Sequence, residues 1–300
     1  MSGTSKMPVV QRRQMLRHTL WGAGALIAAP WGWAAASTGG SSGAQRVVSV
    51  GGAVTEVVYA LGAQARLLAT DTTSLYPEAA TQTRKVGYLR QLSAEGVLSL
   101  KPDAVIGSGE AGPAIVLEQL RTAGVRVELV PSTHDWAEVQ NKVKMVGQVL
   151  GLQNEAQALS AQLEQQWQAT QAQVQKATNQ PRALFILAHS GTPMVSGTDT
   201  AASALLGMAG AVNAVQAFKG YRPLTAEAMA AAAPQVIVTS TQGVEALGGT
   251  DAFWKRPELA LTPAFSKRAL VAMEASHLLG FGPRLPSAVG ELHQRLLQVA

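Results

Sequence analysis

A tyrosine and an arginine stand two residues apart in the segment KVGYLRQLSAEG, on a glycine-flanked loop where nothing apolar needs burying. In an extended segment, side chains two residues apart point to the same side, so the phenol of Tyr88 and the guanidinium of Arg90 can converge. A free phenol is protonated at neutral pH and is a poor ligand, but ferric iron and a neighbouring guanidinium both favour the phenolate. The pair is therefore competent to provide a tyrosinate ligand for ferric haem. Because Tyr-x-Arg is a common sequence, a purely structural loop pair is the alternative.

The segment GSGEAG, residues 107–112, matches the G-x-G-x-x-G loop that receives a pyrophosphate in dinucleotide-binding domains. Glu128 follows at the end of the next predicted strand. Two features weaken the match: the loop does not follow the first strand of the chain, and Pro113 removes an amide donor from the helix start. The match nevertheless leaves one alternative function open, an exported nucleotide-dependent oxidoreductase that uses Gly107, Gly109 and Gly112. A glycine-rich rim beside a ligand cleft explains the loop as well.

Other catalytic and metal-binding patterns are missing from the sequence, which contains neither G-x-S-x-G nor H-E-x-x-H. His134, His189 and His277 would have to converge to bind a transition metal, and their spacing gives no support for this. Loop positions without a metal are the alternative for all three. His293 is predicted to be solvated on the last helix.

The N-terminal segment has the features of an export signal. QRRQMLRHTL supplies a twin-arginine basic region, LWGAGALIAAPWGW is moderately apolar, and AAAS offers small residues for cleavage after Ala36. Without this segment the formal net charge falls from +5 to +1, which argues against nucleic acid as a partner. The apolar run is shorter than the roughly 20 residues of a spanning helix. Since the sequence has no cysteine, we expect an unanchored periplasmic protein without disulfides, thiolate metal sites or a lipidated cysteine.

Beyond a Ser/Gly linker at 37–45, short apolar runs alternate with amphipathic helices, which predicts parallel sheets covered on both faces. LSAEGVLSLKPDAVIGS and LTAEAMAAAAPQVIVTS repeat one order of helix, proline-containing turn and strand. Residues 136–177 contain no convincing strand, and their helical spacing predicts a rod with one break at Gly151. The sequence therefore predicts an α/β fold of two similar Rossmann-like lobes, residues 46–134 and 181–300, joined by a long α-helix within 135–180.

Seven segments occur in order over nearly all of the chain after the signal: RVVSVGGAVTEVVYALGA, DTTSLYPEAA, KVGYLRQLSAEGVLSLKPD, EAGP, GTPMVSGTDTAA, GYRPLTAEAM and PQVIV. Together they resemble the periplasmic haem-binding proteins of ABC-type haem importers, which are bilobed solute-binding proteins rather than enzymes. Carriers of cobalamin or ferric siderophores share the fold and the KPD-type turn, and they are the alternative within this class. GYLRQLSAEG and GYRPLTAEA are the segments that favour haem.

The resemblance implies a role for several residues at the ligand. Tyr88 would be the axial ligand of the haem iron, and Arg90 would hydrogen-bond to its phenolate. His189 stands where some members of the family place a second ligand, although a site with tyrosine alone is the alternative. Tyr76 is a competing phenol, but a proline follows it and no arginine stands two residues on.

The resemblance also implies contacts of the second lobe and of the membrane partner. Arg222 would meet a haem propionate or form the opposite rim of the cleft, with Tyr221 beside it. Glu95 and Glu227 occupy equivalent places in the repeated helix and would dock onto an ABC permease dimer in the inner membrane. Their alternative role is to offset the helix dipole in a first turn. An outer-membrane haem receptor would act upstream.

Overall fold

The computed structural model of the chain describes residues 43–188 and 192–300. The predicted signal at 1–36, most of the predicted linker and His189 lie outside the described residues. The strands β1 to β10 are Val47–Val50, Leu67–Thr70, Ala104–Ser108, Arg126–Val130, Arg182–Leu187, Met194–Ser196, Val212–Asn213, Tyr221–Pro223, Val236–Ser240 and Leu270–Met273. The helices α1 to α13 are Gly52–Ala60, Glu78–Thr81, Ala94–Leu98, Ala114–Thr122, Trp136–Leu150, Gln153–Val174, Ala201–Met208, Ala226–Ala232, Thr241–Ala246, Thr250–Trp254, Pro263–Lys267, Ala275–Leu279 and Leu285–Val299. None of these helices is long and apolar enough to span a bilayer.

The first lobe is built on four parallel strands in the order β2-β1-β3-β4. Every residue of β1 is buried, because alternate side chains enter two different cores. Val47 packs in a core with residues of α1 and α5, whereas Val48 packs with residues of α3 and α4. The prediction of a parallel sheet covered on both faces is confirmed for this lobe.

The second lobe is built on the path β10-β9-β5-β6-β8, with β7 also paired to β5. The pairs of β5 with β7, β5 with β9 and β9 with β10 are parallel. The pairs of β5 with β6 and β6 with β8 are antiparallel. The two antiparallel strands have three residues each, too few to display a period of two, and the sequence did not predict them.

The structure corrects the prediction of a helical rod between the lobes. Gly151 ends α5 in the left-handed conformation, at φ 68° and ψ 29°, and α6 folds back along α5. The rings of Trp136 and Trp167 stack at 5.0 Å between centroids, and Trp136 Nε1 donates to Glu164 Oε2 at 2.6 Å. Contacts across 28 residues of sequence require an antiparallel helical hairpin. Because both arms keep the same helical spacing, the reversal of chain direction could not be predicted from the hydrophobic pattern.

The long helix that adjoins both lobes is therefore α6 alone, with 22 residues. Besides packing on α5, it contacts α13, where Thr170 Oγ1 donates to Pro286 O at 3.3 Å. One apolar core runs from a face of the first sheet through this helical layer to the second sheet. The prediction for His293 is wrong: its ring is buried under α7, with Nδ1 2.9 Å from Ala209 O.

Candidate functional site

The loop that carries Tyr88 runs along the end of β2, at the carboxyl edge of the first sheet. Val86 N donates to Thr70 O at 3.0 Å, and Gly87 then takes a positive φ of 98° that a side chain would disfavour. Leu89 is 6% exposed and points into the core, so its two neighbours point outward. Tyr88 is 38% exposed. The placement of Tyr88 and Arg90 on one side of the loop, predicted from their spacing, is confirmed.

Tyr88, Arg90 and Glu110 form a chain of contacts that we call the rim triad. Arg90 Nη1 donates to Tyr88 Oη, and Arg90 Nη2 donates to Glu110 Oε2 at 2.6 Å. Burial alone would lower the pKa of Arg90, but the hydrogen bond to Tyr88 and the charge of Glu110 raise it above its usual range. The guanidinium is thus a permanent positive charge held at the phenol oxygen. The sequence did not single out Glu110.

Two glycines of GSGEAG, Gly107 and Gly109, permit close packing against the neighbouring backbone. A Cβ on Gly107 would lie 2.9 Å from Val50 O, and one on Gly109 would lie 3.0 Å from Val130 O. Gly109 N donates to Val130 O at 2.6 Å, and Gly112 N donates to Leu89 O at 2.9 Å. Since these two amides are already used inside the protein, the loop lacks two of the donors that a pyrophosphate would need.

Large apolar side chains are exposed on the loops and helix start at this edge of the first sheet. Leu75 is 50% exposed, Tyr76 is 47% exposed, and Ile115, at the start of α4, is 65% exposed. With Tyr88 they make four of the seven large hydrophobic side chains exposed in the described part of the chain. Such a concentration at one edge is typical of a surface that receives an apolar ligand.

Tyr76, Arg284 and Glu56 form a second group, which we call the interlobe triad. Arg284, just before α13 in the second lobe, holds Glu56 of α1 with two hydrogen bonds of 2.6 and 2.9 Å. The Arg284 guanidinium lies 3.9 Å from the centroid of the Tyr76 ring. Burial raises the pKa of Glu56 and outweighs the hydrogen bonds and the charge of Arg284, which lower it. This triad joins the two lobes by a partly buried ion pair.

Tyr221 and Arg222 are neighbours on β8, so they point to opposite faces of the sheet. Tyr221 lies opposite Ser196, and burial raises its pKa against the opposing effect of the Thr200 and Ser196 hydroxyls. The charge of Glu110 in the first lobe also raises it. Arg222 instead stacks on the Phe218 ring at 4.4 Å and lines a cavity of about 490 Å³ beside α8.

Glu95 and Glu227 lie in the first turns of α3 and α8, and both are exposed. The caps of these helices are made by other side chains: Ser93 Oγ accepts from Gly96 N, and Thr225 Oγ1 accepts from Ala228 N. Neither glutamate has a side-chain partner among the described residues.

The described histidines do not build a metal site. His134 lies against the Phe281 ring, and His277 Nε2 is 3.2 Å from Glu291 Oε2. Within residues 43–188 and 192–300, no three His, Asp or Glu side chains form a group that could hold a metal ion. His189 lies outside these residues.

Comparison with known proteins places the chain among solute-binding proteins. A family model described as periplasmic binding protein matches residues 47–276. The solved periplasmic haem-binding protein BhuT, in complex with two haems, is 44% identical over 85% of this chain and 98% of that one, with a TM-score of 0.82. The apo form of the periplasmic haem-binding protein RhuT from Roseiflexus sp. RS-1 is 35% identical over 86% and 99%, also with a TM-score of 0.82.

Curated relatives at lower identity belong to the same kind of protein. The uncharacterized ABC transporter substrate-binding lipoprotein YvrC of Bacillus subtilis is 27% identical over 84% of this chain and 80% of its own length. The vitamin B12-binding protein of Yersinia pestis is 25% identical over 83% and 90%. Both names describe binding proteins, and the first describes one that belongs to an ABC transporter.

Proposed function

The chain belongs to the periplasmic binding protein family, and on that premise we propose that it carries ferric haem to an inner-membrane ABC importer. The observation that carries the proposal is the hydrogen bond from Arg90 to the outward-facing Tyr88, in a chain 44% identical to a haem-binding protein. Tyr88 is the axial ligand of the haem iron, and Arg90 stabilises its phenolate. Haem is the cargo of this protein, so no bond of the porphyrin is made or broken.

The edge of the first sheet supports a flat apolar ligand. Haem buries a large hydrophobic ring, and the exposed Leu75, Tyr76 and Ile115 offer apolar surface beside Tyr88. The two propionates of haem are charged, so each must contact a cationic side chain or water when the iron is bound to Tyr88. We propose Arg222 for a propionate or for the opposite rim of the cleft, with Tyr221 beside it. Contact with a propionate would require the Arg222 side chain to turn away from the Phe218 ring on which it stacks. His189 is proposed as a second iron ligand, with a site that uses tyrosine alone as the alternative.

Delivery requires a contact with the permease, and Glu95 and Glu227 are proposed to provide it. Both carboxylates are exposed, sit at matching positions in the two lobes and are free for arginines of a permease dimer. Replacing both with arginine should abolish haem transport in cells while haem binding by the purified protein stays unchanged. A double variant that transports normally would contradict this assignment.

The family places the protein in the periplasm, and we propose that it is exported by the twin-arginine signal, cut after Ala36 and left unanchored. One relative is a lipoprotein, but this sequence contains no cysteine to carry a lipid. N-terminal sequencing of the protein from a periplasmic extract tests the cleavage site. An outer-membrane haem receptor would supply the cargo upstream.

The second candidate function is that of a carrier for cobalamin or a ferric siderophore. The likeness to the vitamin B12-binding protein favours cobalamin. Such a carrier does not need the Tyr88 phenolate. Hemin titration of the wild type, Tyr88→Phe and the control Tyr76→Phe separates the candidates. We expect saturable binding with tyrosinate charge-transfer bands in the wild type and the control, and loss of these bands in Tyr88→Phe. Binding of cobalamin but not of hemin by the wild type would overturn the proposal.

A further inference from the structure

Glu110 connects the glycine-rich loop to the proposed iron ligand. We propose that Glu110 is a positioning residue for haem ligation: its carboxylate holds the Arg90 guanidinium in the orientation that donates to Tyr88 Oη. This inference rests on the proposed function. In this proposal the GSGEAG loop serves to hold Glu110 beside Arg90, and not to bind a dinucleotide.

The geometry of the guanidinium is the first argument. Arg90 uses two different nitrogen atoms of one planar group, Nη1 toward Tyr88 and Nη2 toward Glu110 at 2.6 Å. Because the group is rigid, fixing Nη2 also fixes the direction in which Nη1 points. The Arg90 side chain is 49% exposed, so few other contacts restrict it. Without Glu110, this long side chain would sample many rotamers.

The backbone under Glu110 is the second argument. Its loop is tied to the Tyr88 loop by Gly112 N to Leu89 O and Leu92 N to Gly112 O, both at 2.9 Å. On its other side, Gly109 N donates to Val130 O at 2.6 Å. The backbone of Glu110 is therefore held beside the Tyr88 loop, where its side chain reaches the Arg90 guanidinium.

A competing account treats Glu110 only as a nearby negative charge. Its charge does act on other groups: burial lowers the pKa of Lys142 on α5 and Glu110 partly opposes this, whereas burial raises the pKa of Tyr221 on β8 and Glu110 adds to it. The two accounts predict opposite signs for the reduction potential of bound haem. Losing a negative charge raises the potential, because the ferric state is less stabilised. Losing the hydrogen bond to the phenolate lowers it, because the phenolate then donates more strongly to iron.

The experiment measures the haem reduction potential and the tyrosinate bands in full-length mature protein. Arg90→Ala should lower the potential, and Glu110→Ala should lower it in the same direction by a smaller shift. Glu110→Gln keeps an acceptor oxygen and should return the potential toward the wild type. In the Arg90→Ala background, Glu110→Ala should lower it no further. Glu118→Ala is the matched control, since Glu118 pairs with Arg121 at the same 2.6 Å on an exposed face of α4.

A second measurement needs no haem. Arginine-selective NMR of the apo protein should show restricted rotation of the Arg90 guanidinium in the wild type and in Glu118→Ala, but averaged signals in Glu110→Ala. A raised or unchanged potential in Glu110→Ala, or an Arg90 signal that stays restricted, overturns the role of Glu110 while the proposed function stands. Absence of tyrosinate bands in the wild type overturns the proposed function, and the role of Glu110 with it.

Discussion

Two groups of tyrosine, arginine and glutamate use the same ion-pair chemistry in different surroundings. In each, an arginine nitrogen lies 2.6 Å from a glutamate oxygen. In the rim triad the side chains of the pair are 49% and 41% exposed, whereas in the interlobe triad they are 22% and 6% exposed. The tyrosines also differ, because Tyr88 offers its hydroxyl to the arginine and Tyr76 offers the face of its ring. Burial, and not the residue types, decides what each group contributes.

An exposed ion pair stabilises a fold by at most about 1 kcal/mol, because water and salt screen it. A buried charge that loses its partner costs about 3–5 kcal/mol. The rim triad is therefore free to serve a ligand, since little of the folding free energy depends on it. The interlobe triad fixes the second lobe to α1 and cannot be changed without a structural cost.

The largest expected effect is on stability, from Glu56→Ala. This variant leaves the partly buried Arg284 guanidinium without the Glu56 carboxylate, and we expect a loss of up to about 3–5 kcal/mol in the free energy of unfolding. Urea unfolding of the apo protein followed by circular dichroism measures it. The control Glu118→Ala should change the same free energy by less than about 1 kcal/mol. A loss in Glu56→Ala as small as in the control would contradict the contrast between the triads.

Glu56→Gln sharpens the comparison through its pH dependence. Burial raises the folded-state pKa of Glu56 above its unfolded value, so its contribution to stability is greatest below the unfolded value and falls as pH rises through the folded one. Glutamine does not titrate. The stability deficit of Glu56→Gln relative to the wild type should therefore be larger near pH 4 than near pH 7. Urea midpoints at both pH values test this, and a deficit that grows with pH would reverse the sign.

The sequence predicted the parts of the molecule that depend on neighbours in the chain. The strands of the first lobe follow from their apolar runs, and the shared side of Tyr88 and Arg90 follows from a spacing of two. Glu110 lies 20 residues from its arginine, on a loop whose glycines resemble a nucleotide motif. A glycine that permits close packing and a glycine that binds a phosphate look the same in the sequence. Only the structure distinguishes them, by showing whether the backbone amides already donate hydrogen bonds within the protein.

Contacts between residues that are far apart in the chain could not be predicted from the sequence. Glu56 and Arg284 are 228 residues apart, and nothing in either local segment marks an ion pair. The hairpin of α5 and α6 was not predicted for the same reason. The helical period predicts a helix, but it does not predict the direction in which the next helix runs. A glycine such as Gly151 permits a break, and the stacking of Trp136 on Trp167 shows that α6 packs back on α5.

Arg90→Ala is expected to affect ligand binding and leave stability nearly unchanged. A hydrogen bond to a charged group contributes about 1.5–3 kcal/mol, so haem should bind roughly 10- to 100-fold more weakly. The free energy of unfolding of the apo protein should change by less than about 1 kcal/mol. Transfer of haem to apomyoglobin measures the haem affinity, and urea unfolding measures the free energy of unfolding. Arg121→Ala is the control, because Arg121 also belongs to an exposed ion pair. A large loss of stability with normal haem binding would give the rim triad the role assigned here to the interlobe triad.

The smallest expected effect is that of Tyr76→Phe. Phenylalanine keeps the aromatic face on which Arg284 stacks, so stability should stay within about 0.5 kcal/mol and the haem spectrum should not change. Tyr76→Leu removes the ring and should lose about 0.5–2 kcal/mol, because the cation–π contact is partly shielded from water. Tyr88 should behave in the opposite way, with its hydroxyl essential for haem ligation and its ring of little consequence for folding. If Tyr76→Phe abolishes the tyrosinate bands and Tyr88→Phe keeps them, the phenol beside Arg284 is the iron ligand, and the roles of the two triads must be exchanged.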